Sequence, residues 1–149
     1  MTYKADDIKL LLPTMQVHVQ ELLIRMGELG FVPVLFSGLR TPEEALKNAA
    51  KGTGIVDSMH LYGAAADVIC SAHGWGCHKE GCKFYDVLGE EAEKLGFVWG
   101  GRFSRGDFPH VQGLPVSWQS QMRVLGKAPE TAAKRDALAA KWFATHSTK

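Results

Sequence analysis

The sequence predicts an α+β fold, in which a small antiparallel sheet is flanked by helices. Short apolar runs bounded by glycine or polar residues are typical of strands, and longer segments with apolar residues at helical spacing are typical of helices. The length of 149 residues suits one domain with one core. We therefore expect a single domain over residues 1–149, of which residues 128–149 form a C-terminal helix and tail.

The amino-terminal half of the chain predicts two helices and two strands. The first helix ends near Gly30, and a strand follows at residues 32–37. Thr41 and Glu44 form a capping box at the start of the second helix. Residues 65–70 are typical of a short buried strand. The apolar positions of the first helix are Met15, Val19, Leu22, Leu23, Met26 and Leu29.

The carboxy-terminal half predicts one more strand and three more helices. Asp107 and His110 lie on the strand, with Pro109 at a sheet edge or at the first strand residue. Two of the helices span residues 115 to about 125 and 129 to about 144. The other helix ends at Gly96, and its apolar positions are Phe84, Val87, Leu88, Ala92 and Leu95.

Charge and hydropathy argue against two classes of function. The formal net charge is +1, which gives no electrostatic basis for binding nucleic acid. No apolar stretch approaches the roughly 18 residues that a membrane-spanning helix needs. The first residues show no basic region followed by an apolar run, so we expect no signal peptide and synthesis in a cytoplasm.

Two histidines and two aspartates carry the most chemical information. His60 precedes Asp67 by seven residues, and Asp107 precedes His110 by three. Imidazole and carboxylate both suit zinc, and catalytic zinc takes three protein ligands and leaves one position for water. We therefore predict that His60, Asp67 and His110 bind zinc. Asp107 is then the base that carries the proton. The alternative for His60 alone is a hydrogen-bonded structural histidine.

The order of the motifs resembles that of a known peptidase family. Residues 58–67 have the pattern Ser-x-His-x-x-Gly-x-Ala-x-Asp, and Asp-x-x-His follows at 107–110. Trp-Gly-Gly precedes the last ligand at 99–101, and Gly-x-Arg stands at 38–40 before a helix. This combination resembles the zinc D-Ala-D-Ala carboxypeptidase and L-Ala-D-Glu endopeptidase family, which has the hedgehog/DD-peptidase fold, and within it the bacteriophage endolysin branch.

The resemblance implies the same metal site as the residues themselves. His60, Asp67 and His110 match the zinc ligands, and Asp107 matches the general base. Some relatives end in His-x-His, whereas Phe108 stands at the middle position here. The sequence therefore departs from the carboxypeptidase branch at that position, while its ligands are unaffected.

The resemblance also implies roles for residues outside the metal site. Arg40 matches an arginine that stabilises the oxyanion and helps to bind substrate; the alternative is an ion pair with a carboxylate such as Glu43. Ser58 matches a serine that holds the substrate; the alternative is the cap of a turn. The peptide substrate that the resemblance implies carries carboxylates, which would suit a cleft with positive charges. Arg40 and Arg102 are the candidates to supply these charges.

The resemblance implies a zinc-dependent peptidoglycan peptidase, an endolysin that hydrolyses the L-alanyl-D-glutamate bond of the stem peptide. The alternatives are a D-Ala-D-Ala carboxypeptidase or dipeptidase and a non-catalytic zinc-binding module. We expect a monomer that is made in a bacterial host cytoplasm and reaches the cell wall after holin-type release. The basic C-terminal helix either packs on the core or contacts the anionic envelope, and packing is the expectation.

Three cysteines fall within a glycine-containing segment that also holds His73 and His78. Their odd number and the expected reducing compartment argue against a disulfide. A second, structural zinc at Cys70, Cys77 and Cys82 is the alternative. The four residues between Cys77 and Cys82 lie at the long end of the usual spacing of zinc ligands. We therefore expect one catalytic zinc and a surface loop with reduced thiols.

Overall fold

A computed structural model describes residues 5–50, 58–75, 77 and 81–148. The described chain has the predicted α+β class, with one four-stranded antiparallel sheet in the order β1-β2-β4-β3. The strands are β1 (Pro33–Ser37), β2 (Ala65–Cys70), β3 (Val98–Trp99) and β4 (His110–Gln112). β2 is central and fully buried, which agrees with its nearly continuous apolar sequence.

Five α-helices are present in the described residues, and the predicted helices are among them. They are α1 (Pro13–Glu28), α2 (Pro42–Ala50), α3 (Phe84–Leu95), α4 (Gln119–Leu125) and α5 (Ala132–His146). α2 begins with the predicted capping box, because the N–H of Thr41 donates to Glu44 Oε1 at 3.0 Å and the N–H of Glu44 donates to Thr41 Oγ1 at 3.2 Å.

Helices α1, α3 and α5 pack against one another beside the sheet. The core face of α1 consists of Met15, Val19, Leu22 and Met26, as its apolar spacing predicts. Gly96 ends α3 in the left-handed conformation, with a φ of 104°. No helix in the described ranges has the length and hydropathy to cross a lipid bilayer.

The last two helices differ from the prediction at their starts. Each begins with a separate 3-10 turn, Val116–Trp118 before α4 and Pro129–Thr131 before α5. Hydrogen bonds to the residue three positions earlier close these turns, and one of them runs from the N–H of Thr131 to the carbonyl of Ala128 at 3.1 Å. α5 also continues two residues beyond the predicted end, to His146.

The C-terminal helix packs on the core. Ala139 and Phe143 are buried, and the indole N–H of Trp142 donates to the carbonyl of Gly96 at 2.8 Å. Arg135, one of its basic residues, is buried and donates to the carbonyl of Gly126 at 2.7 Å. Packing therefore accounts for the apolar face of α5, while an envelope contact through its remaining charges stays a prediction.

The prediction of reduced thiols in the cysteine segment is wrong for two of the three residues. Cys77 and Cys82 form a disulfide, whereas Cys70 is a free, buried thiol at the end of β2. The short loop brings the Cα atoms of the pair to 5.2 Å, within the range that a disulfide requires. His78 lies outside the described residues.

Candidate metal centre and active site

The sheet brings two of the predicted ligands together. β2 and β4 are antiparallel neighbours, and their register places Asp67 opposite His110. His60 lies on a short 3-10 helix, Met59–Tyr62, that leads into β2. This helix ends at Gly63, whose φ of 70° allows the chain to turn into the strand. The three ligands therefore come from two paired strands and the turn before one of them.

The three predicted ligands converge on one point. Nε2 of His60 lies 3.4 Å from Oδ2 of Asp67, and Nδ1 of His110 lies 3.4 Å from Oδ1 of the same carboxylate. Zinc–nitrogen and zinc–oxygen bonds of about 2.05 Å at tetrahedral angles would put neighbouring ligand atoms about 3.3 Å apart. All three residues are buried, and their ligand atoms lie within 4.8 Å of one another, close enough for one metal ion to bind.

Hydrogen bonds fix which nitrogen of each ring faces the metal position. Nδ1 of His60 lies 2.7 Å from the carbonyl oxygen of Gly38, which can only accept, so Nδ1 carries the proton and Nε2 keeps its lone pair. Gly38 is itself held by Asp6, whose carboxylate accepts from its N–H at 2.7 Å. The loop that follows β1 therefore orients the first ligand.

Gln112 orients the ring of His110 in the same way. Nε2 of His110 lies 2.7 Å from Oε1 of Gln112, and the amide N–H of Gln112 donates to the carbonyl of Leu114 at 2.8 Å. Because the Leu114 carbonyl takes the donor end of the amide, the oxygen faces His110 and Nδ1 of that ring is left for the metal. Gln112 is buried, and its role in orienting His110 could not be predicted, because a single glutamine has no sequence pattern that indicates such a role.

The buried carboxylate of Asp67 is stabilised in its charged form. Burial would raise its pKa, but the hydrogen bonds and charges of His110 and His60 outweigh burial and hold the pKa well below its usual range. Nη2 of Arg40 lies 3.7 Å from Oδ2 of Asp67, so this carboxylate is an ion-pair partner of Arg40. Asp67 is therefore charged at neutral pH, as the predicted metal ligand has to be.

Asp107 lies beside the ligands on a turn, and the prediction that it lies on a strand is wrong. β4 begins at His110, and Phe108 and Pro109 form a turn before it. Oδ2 of Asp107 is 3.8 Å from Nδ1 of His110, and the side chain is 53% exposed. Partial removal of this carboxyl from water raises its pKa, and the negative charge of Asp67 raises it further.

The Trp-Gly-Gly motif shapes the turn that carries Asp107. The N–H of Asp107 donates to the carbonyl of Gly100 at 2.8 Å, so the two backbones touch. A Cβ at position 100 would collide with the carbonyl oxygen of Asp107 and with Cβ of His110. Trp99 supports the other side of the turn, because its indole N–H donates to the carbonyl of Phe108 at 2.8 Å. Gly100 is therefore required for close approach.

The ligands open onto a cleft of about 350 Å³. Arg40 and Ser58 both lie on its wall, and their contact with substrate stays a prediction. Ser58 also caps the 3-10 helix, because its Oγ accepts from the N–H of His60 at 3.2 Å. Because Ser58 Oγ accepts this hydrogen bond, the hydroxyl hydrogen of Ser58 is not used by the cap. The lining also includes Trp75, Phe103, Arg105, Gln112, Val116 and Gln119, none of which was predicted as a site residue.

The second cation of the cleft is Arg105, and the interpretation of Arg102 is corrected. Arg102 forms two hydrogen bonds to the carboxylate of Glu93, at 3.2 and 2.9 Å, and its guanidinium lies over the ring of Trp99. This pairing directs Arg102 toward α3. Arg105, three residues later and exposed, lines the cleft instead.

Zinc binding is expected to weaken as pH falls through the pKa of His110. Burial would lower this pKa, but the hydrogen bond and charge of Asp67 outweigh burial and raise it above the ordinary value of 6.5. A proton on Nδ1 occupies the ligand atom, so it competes with zinc. Below the raised pKa the zinc dissociation constant should increase about tenfold per pH unit, as competition with a chelator would measure. A constant that does not change with pH would contradict Nδ1 as the ligand atom.

Two histidines and a charged carboxylate around one point, with a further carboxylate at the cleft beside them, are the residue types of a metal-dependent hydrolase site. Residues 51–113 match the model of a family described as D-alanyl-D-alanine carboxypeptidase. This segment contains the three ligands and Asp107, whereas Arg40 lies upstream of it. No curated protein shows significant similarity to the chain. The match covers less than half of the chain and supports a peptidase, and three residues inside it could hold a metal ion.

Proposed function

We propose that the protein is a zinc-dependent endopeptidase that cleaves the L-alanyl-D-glutamate bond of the peptidoglycan stem peptide. The observation that carries a catalytic role is the position of Asp107. Its carboxylate reaches the cleft next to His110, yet it lies outside the set of three converging ligands. A purely structural metal site has no need of a free carboxylate at this position.

The residues of the cleft support amide hydrolysis. Zinc held by His60, Asp67 and His110 would polarise the scissile carbonyl and lower the pKa of a water molecule. Asp107 then accepts a proton from the attacking water and returns it to the leaving amine. Arg40 donates to the carbonyl oxygen as negative charge develops there, which stabilises the tetrahedral intermediate.

The walls of the cleft fit a peptide with carboxylates near the scissile bond. Arg40 and Arg105 supply two positive charges, and Ser58 can donate its hydroxyl hydrogen to a substrate oxygen. Trp75 and Phe103 add apolar surface for the alanine methyl and the peptide backbone. D-Glutamate beside L-alanine brings such carboxylates, so these charges favour the L-alanyl-D-glutamate bond.

Digestion of purified peptidoglycan tests the choice of bond. New L-alanine carboxyl termini and D-glutamate amino termini, identified by mass spectrometry of the fragments, are the expected products. Release of free D-alanine without these termini would contradict the proposal. The matched control is the Asp107→Asn protein, which should leave the same peptidoglycan intact.

The alternative activity is that of a D-alanyl-D-alanine carboxypeptidase or dipeptidase. The description of the matching family favours it. A carboxypeptidase would use Arg40 or Arg105 to bind the terminal carboxylate of its substrate. The same digestion separates the two activities, because only the carboxypeptidase shortens the stem peptide by one D-alanine.

We propose further that the enzyme acts as a monomeric bacteriophage endolysin. In this setting it is made in the bacterial host cytoplasm and reaches the wall after a holin opens the membrane. Expression in a host should cause lysis only when a holin is co-expressed. Lysis at the same rate without a holin would contradict this route.

A further inference from the structure

We propose that Cys70, Cys77 and Cys82 form a second metal site, which binds one zinc ion through three thiolates when the cysteines are reduced. The three Sγ atoms lie within 4.8 Å of one another. Zinc–sulfur bonds of about 2.3 Å at tetrahedral angles put neighbouring sulfurs about 3.8 Å apart. The cluster therefore needs only small side-chain movements to enclose the ion.

The backbone already gathers the three thiols. Cys70 ends β2, where it pairs with Pro33 of β1. The N–H of Gly74 donates to the carbonyl of Cys70 at 2.7 Å, and the N–H of Cys82 donates to the carbonyl of Cys77 at 3.2 Å. These hydrogen bonds bring the three cysteines close together in the absence of a metal. Cys70 and Cys77 are buried and Cys82 is half-buried, so the three thiolates would shield most of the ion and leave its fourth position to water.

The disulfide and the metal site are two states of the same residues. In the oxidised state, the Cys77–Cys82 bond leaves Cys70 as a single buried thiol beside it. Reduction by a phosphine cleaves the S–S bond; the phosphine takes the oxygen of one water molecule, and the two sulfurs receive its two protons. Zinc then replaces the three S–H protons, which are released to solvent.

The loop closed by this cluster carries a wall of the catalytic cleft. Trp75 lies between Cys70 and Cys77 and lines the cleft. Its ring packs edge-on against the ring of Phe36, with the two ring centroids 5.2 Å apart. The residue before it, Gly74, is also held, because the hydroxyl of Tyr85 donates to its carbonyl at 2.8 Å. The metal would therefore fix the position of Trp75. This step rests on the proposed peptidase function, whereas metal binding by the cysteines does not.

Cobalt substitution tests the site independently of activity. Cobalt bound by cysteine thiolates gives a sulfur-to-metal charge-transfer band, which the site at His60, Asp67 and His110 lacks. The reduced, metal-stripped protein should bind two ions per chain and show the band. The Asp67→Asn protein should bind one ion and keep the band. The Cys82→Ala protein, which changes a half-buried position, should bind one ion and lose most of the band.

The following results of the cobalt experiment would contradict the proposal. One ion per chain in the reduced wild-type protein, with no band, would exclude the second site. A band of unchanged intensity in Cys82→Ala would exclude that ligand, and the Cys70→Ala protein, checked for native circular dichroism, gives a second reading. The Asp67→Asn protein separates the two sites. Loss of the ion at the catalytic centre should leave the band unchanged, whereas loss of the band would show that the cysteines do not bind a metal on their own.

The effect on the cleft has its own measurement. Loss of the second metal in Cys82→Ala should raise KM about fivefold and change kcat little, because Trp75 contacts substrate without contacting the reacting atoms. Trp75→Ala should give the same pattern. A fall in kcat with an unchanged KM in either variant would contradict the positioning of Trp75 by the cluster.

Discussion

Replacement of Asp107 by asparagine is expected to lower kcat at least about 100-fold and to leave zinc bound. The amide keeps the shape of the side chain but cannot accept a proton from water, and general acid–base catalysis contributes about 100-fold to 10,000-fold. Zinc should remain because Asp107 lies outside the converging ligands, with its Oδ2 3.8 Å from Nδ1 of His110. Fragment release from peptidoglycan and metal content by mass spectrometry measure the two properties.

Asp86→Asn is the matched control for this substitution. Asp86 is an exposed residue in the first turn of α3 and does not line the cleft, so the same chemical change there should leave kcat and zinc content unaltered. Hydrolysis at the wild-type rate by Asp107→Asn would show that another group is the base. Loss of zinc from that variant would instead make Asp107 a ligand.

The grouping of His60, Asp67 and His110 could be predicted from sequence because residue type and order mark all three as candidate ligands. Asp67 follows His60 by seven positions, with a turn and the start of a strand between them. Once β2 and β4 pair as antiparallel neighbours, Asp67 and His110 are opposite each other. Ligand chemistry then selects the same residues that the strand register brings together.

The groups that orient the ligands could not be predicted, since they depend on tertiary contacts. The carbonyl of Gly38 reaches His60 only because the loop after β1 folds over the 3-10 helix. Gln112 reaches His110 across two positions of one strand, and its amide is turned by Leu114. A backbone carbonyl and a single glutamine have no sequence signature as outer partners of a metal site.

The direction in which a side chain points at a turn could likewise not be predicted from the sequence. Arg102 and Arg105 are equivalent candidates by residue type, but the 3-10 turn Gly100–Arg102 directs the first toward Glu93. Arg105 follows the turn and lines the cleft. Asp107 lies before the strand because Pro109 has no N–H to donate to the sheet, and strand pairing starts only at His110.

Replacement of Asp67 by asparagine is expected to weaken zinc binding more than about 100-fold and to remove hydrolysis with it. Loss of an outer partner alone costs about 10-fold to 100-fold in metal affinity, and Asp67 is the proposed direct ligand that supplies the negative charge. The change also removes the group that raises the pKa of His110, so this pKa should fall. Competition with a chelator measures the affinity, and titration of the ring by NMR measures the pKa.

The two aspartate variants together separate a ligand from a base. Both lose hydrolysis, but only Asp67→Asn should lose the catalytic zinc, because only its carboxylate lies 3.4 Å from both ligand nitrogens. Added zinc at high concentration should restore part of the activity of Asp67→Asn and none of that of Asp107→Asn, since mass action repopulates a weak site but cannot replace a proton acceptor. Equal zinc content in both variants would overturn the ligand set, and rescue of Asp107→Asn by zinc would overturn its role as the base.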